Sequence, residues 1–308
     1  MPQGDLDTVK EDSKMSVKRR AFIYIITAGI LWGTSGLFVD ALTPYGFSSL
    51  QITMLRGVIS CLCMAIFVAI RGKVLFRVKP REIWLPLAIG VALFGTSSCY
   101  YLSMQMTSVS TAVVLMYMAP VYVMIYSVLF LGERLSGLKL FAVVAMFAGC
   151  CLVSGIVGGL KFDLVGILLG LLSGVAYGAY NILTKIALRK GLAPETTTFY
   201  SFVVMSVIAL SVSRPYGAAS LIGKQPMILI PLVLALGLVT YVLPYLLYTK
   251  AMRTLPAGTA SALGIVEPMA ATVFSIAFLG ERLSVLPAVG IVLILLAVFL
   301  LGKAEGKE

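Results

Sequence analysis

After a polar opening stretch, MPQGDLDTVKEDSKMSVKRR, the chain becomes an alternation of long apolar runs and short polar breaks. The runs fall at 21–42, 48–70, 83–104, 109–131, 137–156, 163–188, 195–213, 226–250, 257–279 and 285–302. Crossing the hydrocarbon core of a bilayer takes roughly 20 mostly apolar residues in a helix. A backbone in lipid has no water to bond, so continuous segments of this length satisfy themselves as helices. The pattern predicts an all-α integral membrane protein with ten transmembrane helices, flanked by a disordered tail over 1–20 and a short tail over 303–308. Lys18, Arg19 and Arg20 ahead of an apolar run imitate a signal peptide. That run is too long for a signal's apolar stretch and lacks a convincing small-residue cleavage site, so it reads as the first span.

The polar breaks carry the charge, and they sort by side. With the amino terminus in the cytoplasm, eighteen Lys/Arg fall on cytoplasmic segments and four on the opposite side, at Lys161, Arg214, Lys224 and Arg282. This positive-inside bias places both termini in the cytoplasm of a multi-pass plasma-membrane protein, the inner membrane of a prokaryote. Only Arg56 and Lys185 remain inside spans. The net charge of +11 is therefore topological and needs no nucleic acid. Composition removes other classes: 60% hydrophobic and 12% charged residues exclude a soluble two-domain enzyme. The absence of histidine removes His-ligated metals, Ser/His and Cys/His nucleophile pairs and imidazole relays. The five cysteines lie in apolar runs without a CxxC pair and read as small buried hydrophobes.

The chain also repeats itself. Residues 130–136 and 278–284 both read FLGERLS. At the same offset of 148, Pro120 aligns with Pro268, Thr111-Ala112 with Thr259-Ala260, Tyr100 with Tyr248, and Met104 with Met252. With a three-residue slip, Trp32-Gly33 meets Tyr177-Gly178. Two five-helix halves follow, 21–157 and 162–302. Five is odd, so the second half enters the membrane inverted. Halves of similar shape and opposite orientation can exchange roles, which is the logic of alternating access around a midplane site.

Two such repeats, each with a proline in its fourth helix followed by LGERLS, together with Glu267-Pro268 and Trp32-Gly33, resemble the drug/metabolite transporter superfamily of EamA-type ten-helix carriers. The resemblance covers nearly everything after residue 20. It implies a carrier of small metabolites, often an exporter, with a central cavity lined by helices 1, 3, 4, 6, 8 and 9 and with helix 2 at the periphery. It says little about the substrate.

The scarce polar residues are the candidate chemistry. An ionised Glu267 near the middle of the ninth span would cost on the order of 2.5–3.5 kcal/mol or more. It can carry a coupling proton, meet a substrate ammonium, or pack as a neutral group bonded to a Ser or Thr. Pro268 lacks an N–H and so frees the Gly264 carbonyl for a ligand; Pro120 and Pro268 are the candidate hinges. Tyr241, Tyr245 and Tyr248 share one stripe of the eighth span, and Tyr177, Asn181 and Thr184 share one of the sixth. Trp32, Ser35, Tyr101 and Tyr117 would complete an aromatic lining, with Ser261 and Glu267 from the ninth span. Such a wall suits an amphipathic or cationic metabolite. Ordinary helix packing is the competing reading for each tyrosine alone.

Arg56 reads as structural or snorkelling, with an anion site or a pairing with Glu267 as alternatives. Lys185 reads as snorkelling, and Asp40 as interfacial. Gly166, Gly170, Gly174 and Gly178, like Gly29 and Gly33, mark close helix packing. The two FLGERLS segments read as hairpin connectors, with Glu133–Arg134 and Glu281–Arg282 capping or pairing locally. The expected function is secondary transport of a small organic metabolite, an amino acid or similar amphipathic compound, outward by alternating access with protons as a candidate coupling ion. No GxxxxGK[ST] motif for ATP is present. The alternatives are an importer of a quaternary ammonium or guanidinium cation, and a membrane-embedded lipid-modifying enzyme. Expected partners are the small-molecule substrate and membrane lipid, with a homodimer left open and no cofactor or metal.

Overall fold

The computed structural model describes residues 3–155, 163–213, 215–280 and 284–306, with side chains from Ser16 onward, Lys73 excepted. The described residues are all helical or turn, without a strand. The helices are α1 (Gln3–Gly33), α2 (Ser35–Leu42), α3 (Ser49–Arg71), α4 (Trp84–Met106), α5 (Val109–Met116), α6 (Ala119–Phe130), α7 (Gly137–Val153) and α8 (Leu164–Arg189). They continue as α9 (Pro194–Val212), α10 (Pro215–Lys224), α11 (Pro226–Gly237), α12 (Leu243–Ala251), α13 (Ala257–Leu263), α14 (Val266–Leu279) and α15 (Val285–Gly306). Several of the apolar runs are thus built from two helices in series. Among the described residues, nine helical segments are long and apolar enough to cross a membrane, and α7 is a shorter apolar helix of 17 residues. Large apolar side chains such as Ile66, Ile70, Phe130, Phe141, Leu295 and Phe299 point outward, as a lipid-facing surface requires.

Two expectations about the chain ends change. Helix α1 begins at Gln3, so the segment expected to be a disordered tail is helical from that residue. At the other end α15 runs to Gly306, and Glu305 is buried inside the protein. The boundary between the halves falls at 156–162, outside the described residues.

The helix ends follow local chemistry. Ser48 and Gln51 form a reciprocal capping box at the start of α3. Ser108 and Asp163 accept backbone N–H groups at the starts of α5 and α8. The repeated motif is a compact turn. Gly132 takes a φ of +68° that a side chain would disfavour and ends α6, while Ser136 accepts the Lys139 N–H and starts α7. Gly280 takes the same left-handed conformation, φ +71°, at the end of α14. Glu281, Arg282 and Leu283 of the second copy lie outside the described residues.

Cross-half packing follows a pseudo-two-fold exchange. Helix α4 packs on α8, and its image α12 packs on α1. Helix α8 also meets α5 and α6, as α1 meets α13 and α14. The pairs α3–α9 and α7–α15 are their own images. Small residues allow these approaches. A Cβ at Gly290 would lie 2.7 Å from the Gly149 carbonyl oxygen, and one at Gly174 would lie 2.7 Å from that of Leu115. Gly178, by contrast, has ordinary room.

Both chain ends meet at one face, where Lys18 donates to the Glu305 carbonyl at 2.9 Å. This terminal face is sealed by polar contacts, those of Glu133 and Lys139 between the halves and those of Lys185 and Thr259 within the second. Glu133 accepts the N–H groups of Ala257 (2.8 Å) and Gly258 (3.3 Å) at the start of α13. The LGERLS glutamate therefore caps a helix of the other half, and the expected local pairing with Arg134 gives way to that contact. The reason is the helix start itself, which offers unsatisfied donors and a positive dipole end. Lys139 pairs with Glu305 at 2.8 Å, both almost fully buried, and Thr259 donates to the same Glu305 oxygen. Lys185 does not snorkel. Its ammonium donates to the carbonyls of Met252 and Leu255, both at 2.7 Å, at the end of α12, where a cation meets the negative end of the helix.

Two stability outcomes follow from this packing. Gly290→Ala overpacks α15 against the α7 backbone and is expected to cost on the order of 1–3 kcal/mol. It should lower the midpoint of thermal unfolding, whereas Gly223→Ala, with nothing near its Cβ, should not. Equal midpoints would refute the close α7–α15 contact. Lys139→Met strands a buried carboxylate and is expected to cost about 3–5 kcal/mol, most of it recovered in Lys139→Met/Glu305→Met. A double variant as unstable as the single would show that the pair does not hold this face.

Candidate functional site

The helix breaks converge on one place. Thr34 separates α1 from α2 and turns its hydroxyl onto the Leu31 carbonyl at 2.7 Å. Tyr117 and Met118 separate α5 from α6, with Pro120 in the first turn that follows. Gly264 and Ile265 separate α13 from α14, just ahead of Glu267-Pro268. The repeat thus places a break at matching points of both halves. In the eighth apolar run, a π-helical turn at Leu238–Val242 lies just before Pro244, which has no N–H to offer the Thr240 carbonyl. Tyr241 lies in that turn.

These breaks surround a cavity of about 700 Å³. Its lining includes Trp32, Tyr117, Tyr177, Tyr245 and Glu267 deep in the protein. It also includes Asp40, Thr43, Val109, Ser110, Ser154 and Leu279, which stand at helix ends away from the termini. The cavity therefore opens on the face opposite the sealed one. The asymmetry is visible in repeat-related residues. Val109 at the mouth is 57% exposed, whereas its image Ala257 on the terminal face is fully buried.

Glu267 and Tyr117 join the two halves at the cavity. The Tyr117 hydroxyl donates to Glu267 Oε2 at 2.8 Å and lies 3.2 Å from the Gly264 carbonyl. That carbonyl also accepts the Glu267 N–H at 2.9 Å. It is thus engaged within the protein, contrary to the expectation that Pro268 leaves it free for a ligand. Helix α1 approaches α14 so closely here that a Cβ on Gly33 would lie 2.7 Å from that of Ala270. Trp32, next to Gly33, lines the same cavity as Glu267. The Trp32 ring packs against Tyr245 and Tyr248 at centroid distances of 5.0 and 5.2 Å, and its buried Nε1 has no hydrogen-bond partner.

Of the residues singled out in the sequence, Trp32, Ser35, Tyr101, Tyr117, Tyr177, Tyr245, Glu267 and Pro268 line the cavity. Asn181, Tyr248, Ser261 and Pro120 do not. Asn181 bridges the Tyr177 carbonyl (2.8 Å) and the Tyr248 hydroxyl (2.5 Å) behind the aromatic wall. Ser261 is fully buried on α13, at the sealed end. Pro120 is buried at the start of α6. A helical stripe broader than the cavity accounts for the difference, since each face also packs on a neighbour. Asp40, read as interfacial, borders the mouth.

Several lining residues carried little weight in the sequence. Thr96, Ser97, Tyr100 and Met104 recur on one face of α4, a polar stripe that could have identified them. Ser97 shares a hydrogen bond with the Tyr241 hydroxyl at 3.3 Å. The larger change is Arg56. It does not snorkel to lipid; it is 7% exposed and lines the cavity, so the second span contributes to the wall. Arg56 and Glu267 make no ion pair among the described residues. No cluster of three His, Cys, Asp or Glu residues suited to a metal occurs among the described residues, and all five cysteines are free thiols. The site can offer aromatic surface, hydroxyls, one guanidinium, the deep carboxylate of Glu267 and that of Asp40 at the mouth.

Comparison with known proteins agrees with the architecture. The EamA-like transporter family matches residues 19–155 and again 164–303. A chain from Archaeoglobus fulgidus described as an uncharacterized transporter is 29% identical over 280 residues, covering 90% of this chain and 94% of its own. The uncharacterized transporter YwfM of Bacillus subtilis is 23% identical, covering 93% and 95%. A solved crystal structure superposes with a TM-score of 0.75 at 20% identity over 92% of this chain and 98% of that one, a likeness of fold. With both halves matched and the helices apolar enough to cross a bilayer, this chain is a membrane transporter of the plasma membrane that belongs to the EamA-like transporter family.

Proposed function

We propose that this protein is a secondary transporter that moves a small organic metabolite, an amino acid or similar amphipathic compound, by alternating access. The chain then crosses the membrane ten times, with α7 as the fifth span and both termini cytoplasmic by the positive-inside bias. On that orientation the cavity of about 700 Å³ faces outward, and the Glu133, Lys139 and Lys185 contacts close the cytoplasmic side. The observation that carries the reading is this one-sided opening in a chain whose two halves are images of each other. Exchange of their roles would seal the outer face and open the inner one. Export is the direction favoured, and without an ATP-binding motif the energy comes from a gradient.

Glu267 is the group assigned to the coupling proton or to a substrate ammonium. Its hydrogen bond to Tyr117 spans the two halves, so a change in its charge or its partner acts on both. The aromatic wall of Trp32, Tyr177 and Tyr245 supplies apolar contact for the body of the substrate. The same wall with Glu267 also suits a quaternary ammonium or guanidinium compound. The Arg56 charge in the same cavity weighs against a ligand that is only cationic.

Flux of labelled amino acids into and out of proteoliposomes, with and without a pH gradient, tests the proposal. Wild-type protein is expected to carry solute and to respond to the gradient, and Glu267→Gln is expected to lose the gradient response. Unchanged transport by Glu267→Gln under both conditions would remove both roles of the carboxylate. Stabilisation by choline with none by amino acids would favour the cation importer, and turnover of lipid without solute flux would favour an enzyme.

A further inference from the structure

Arg56 presents the least satisfied polar group in the cavity. Its guanidinium lies over the Tyr241 ring, 5.6 Å from the centroid, and Nη1 reaches the Tyr101 hydroxyl at 3.5 Å, the outer limit of a hydrogen bond. Nε and Nη2 are buried and make no hydrogen bond of good geometry, although the Tyr241 hydroxyl also interacts with the guanidinium. A permanent cation held this way is costly, because no carboxylate among the described residues pairs with it. The rest of the structure does not behave so. Among the described residues the other two buried cations, Lys139 and Lys185, are each bonded to a carboxylate or to carbonyls.

The unpaired edge has a specific shape. Nε–H and Nη2–H lie side by side on the guanidinium, a two-pronged donor that matches the two oxygens of a carboxylate. The Tyr241 ring lies within cation–π range of the same guanidinium. Two acids line the cavity. Glu267 is held by Tyr117, and Asp40 stands at the mouth; neither pairs with Arg56. One guanidinium and one deep carboxylate give an inner cavity with little net charge, which suits a carboxylate joined to a positive or neutral donor. A doubly charged phosphate monoester would remain under-compensated there.

We infer that the guanidinium of Arg56, turning its unpartnered Nε and Nη2 donors to the cavity that it lines, binds the carboxylate of the transported solute, and that Arg56 rather than Glu267 separates solutes that carry this group from those that do not. The inference rests on the transport reading above and deepens it. The tyrosines 100, 101 and 241 frame the carboxylate end, and Glu267 takes the amine end or remains with Tyr117 for solutes that lack one.

The test uses the full chain in detergent and in proteoliposomes. The probes are matched trios in which only the acid group changes: leucine, leucinamide and isoamylamine; phenylalanine, phenylalaninamide and phenethylamine; with glucose 6-phosphate as the phosphate arm. Carboxylates are expected to raise the thermal midpoint of the wild-type protein by a few degrees, and amides, amines and the sugar phosphate are not. Arg56→Met and Arg56→Lys are expected to weaken the carboxylate effect by roughly tenfold to a hundredfold, since both lose the paired donors. Without ligand, Arg56→Met is expected to keep or raise the midpoint, because it replaces an uncompensated buried charge with an apolar chain of similar length. A marked fall in that midpoint would make Arg56 a structural residue and overturn the inference. So would the absence of any carboxylate-dependent shift, its retention in Arg56→Met, or a preference for amines or phosphate. Flux of the carboxylate solutes that is unaffected by Arg56→Met would leave transport standing and remove the anchor; no organic flux at all would remove the transport reading itself.

Discussion

Lipid supplies no hydrogen bonds, so every polar group within the slab must find its partner in the protein or line a place where something else can provide one. Most of this chain obeys the first alternative. Buried Ser and Thr residues return their hydroxyls to carbonyls one turn back, as Thr240 does with Leu236 and Ser206 with Phe202. Lys185 closes two carbonyls at the end of α12, and Glu305 is held by both Lys139 and Thr259. A smaller set does not: away from the cavity, the buried hydroxyls of Ser98, Ser103, Ser127, Thr184 and Ser261 have no partner. Trp32 Nε1 and the Arg56 Nε and Nη2 atoms have none at residues that line it, beside helix breaks and a π-helical turn.

The same constraint explains why the ends of the cavity differ. A helix that starts inside the protein exposes N–H groups that must be met. On the terminal face the α13 start is met by Glu133 from the other half, 124 residues away in the chain. At the mouth the related start, α5, keeps its Ser108 cap, and Val109 is left exposed. One motif therefore does two things: its glycine and serine turn the chain, and its glutamate ties the halves together. A contact between halves can be made or released, whereas a turn cannot, and that difference gives the proposed exchange of faces a structural basis.

Much of the architecture was legible from pattern alone. The apolar runs, the FLGERLS repeat and the small residues at helix crossings all reflect local rules that the chain states in order. The α13–α14 break was foreshadowed by Pro268, and the α5–α6 break by its image Pro120. The errors share a cause. Residues 3–20 are polar, and polarity was taken for disorder; residues 303–306 are polar too and were read as a tail, although Glu305 proves to be one half of a buried ion pair. The motif glutamate was given a partner nearby in sequence, because a partner from the other half has no sequence signal.

By itself, then, the sequence determined that this protein is helical, lives in a membrane and is built from two related halves, because lipid reads each segment through its own composition. It also identified Glu267 and the tyrosine stripes, since a carboxylate in mid-span is anomalous wherever it points. What it could not decide was orientation about each helix axis. Whether Arg56 faces lipid, packs in the core or enters the cavity turns on a rotation of its helix, and only the packing of α3 against α9 and the π-helical turn sets that rotation. The same holds for Asn181 and Tyr248, drawn behind the wall by their bond to each other. Which face stands open is likewise a property of contacts between halves, and nearly symmetric halves carry no such preference in their order of residues.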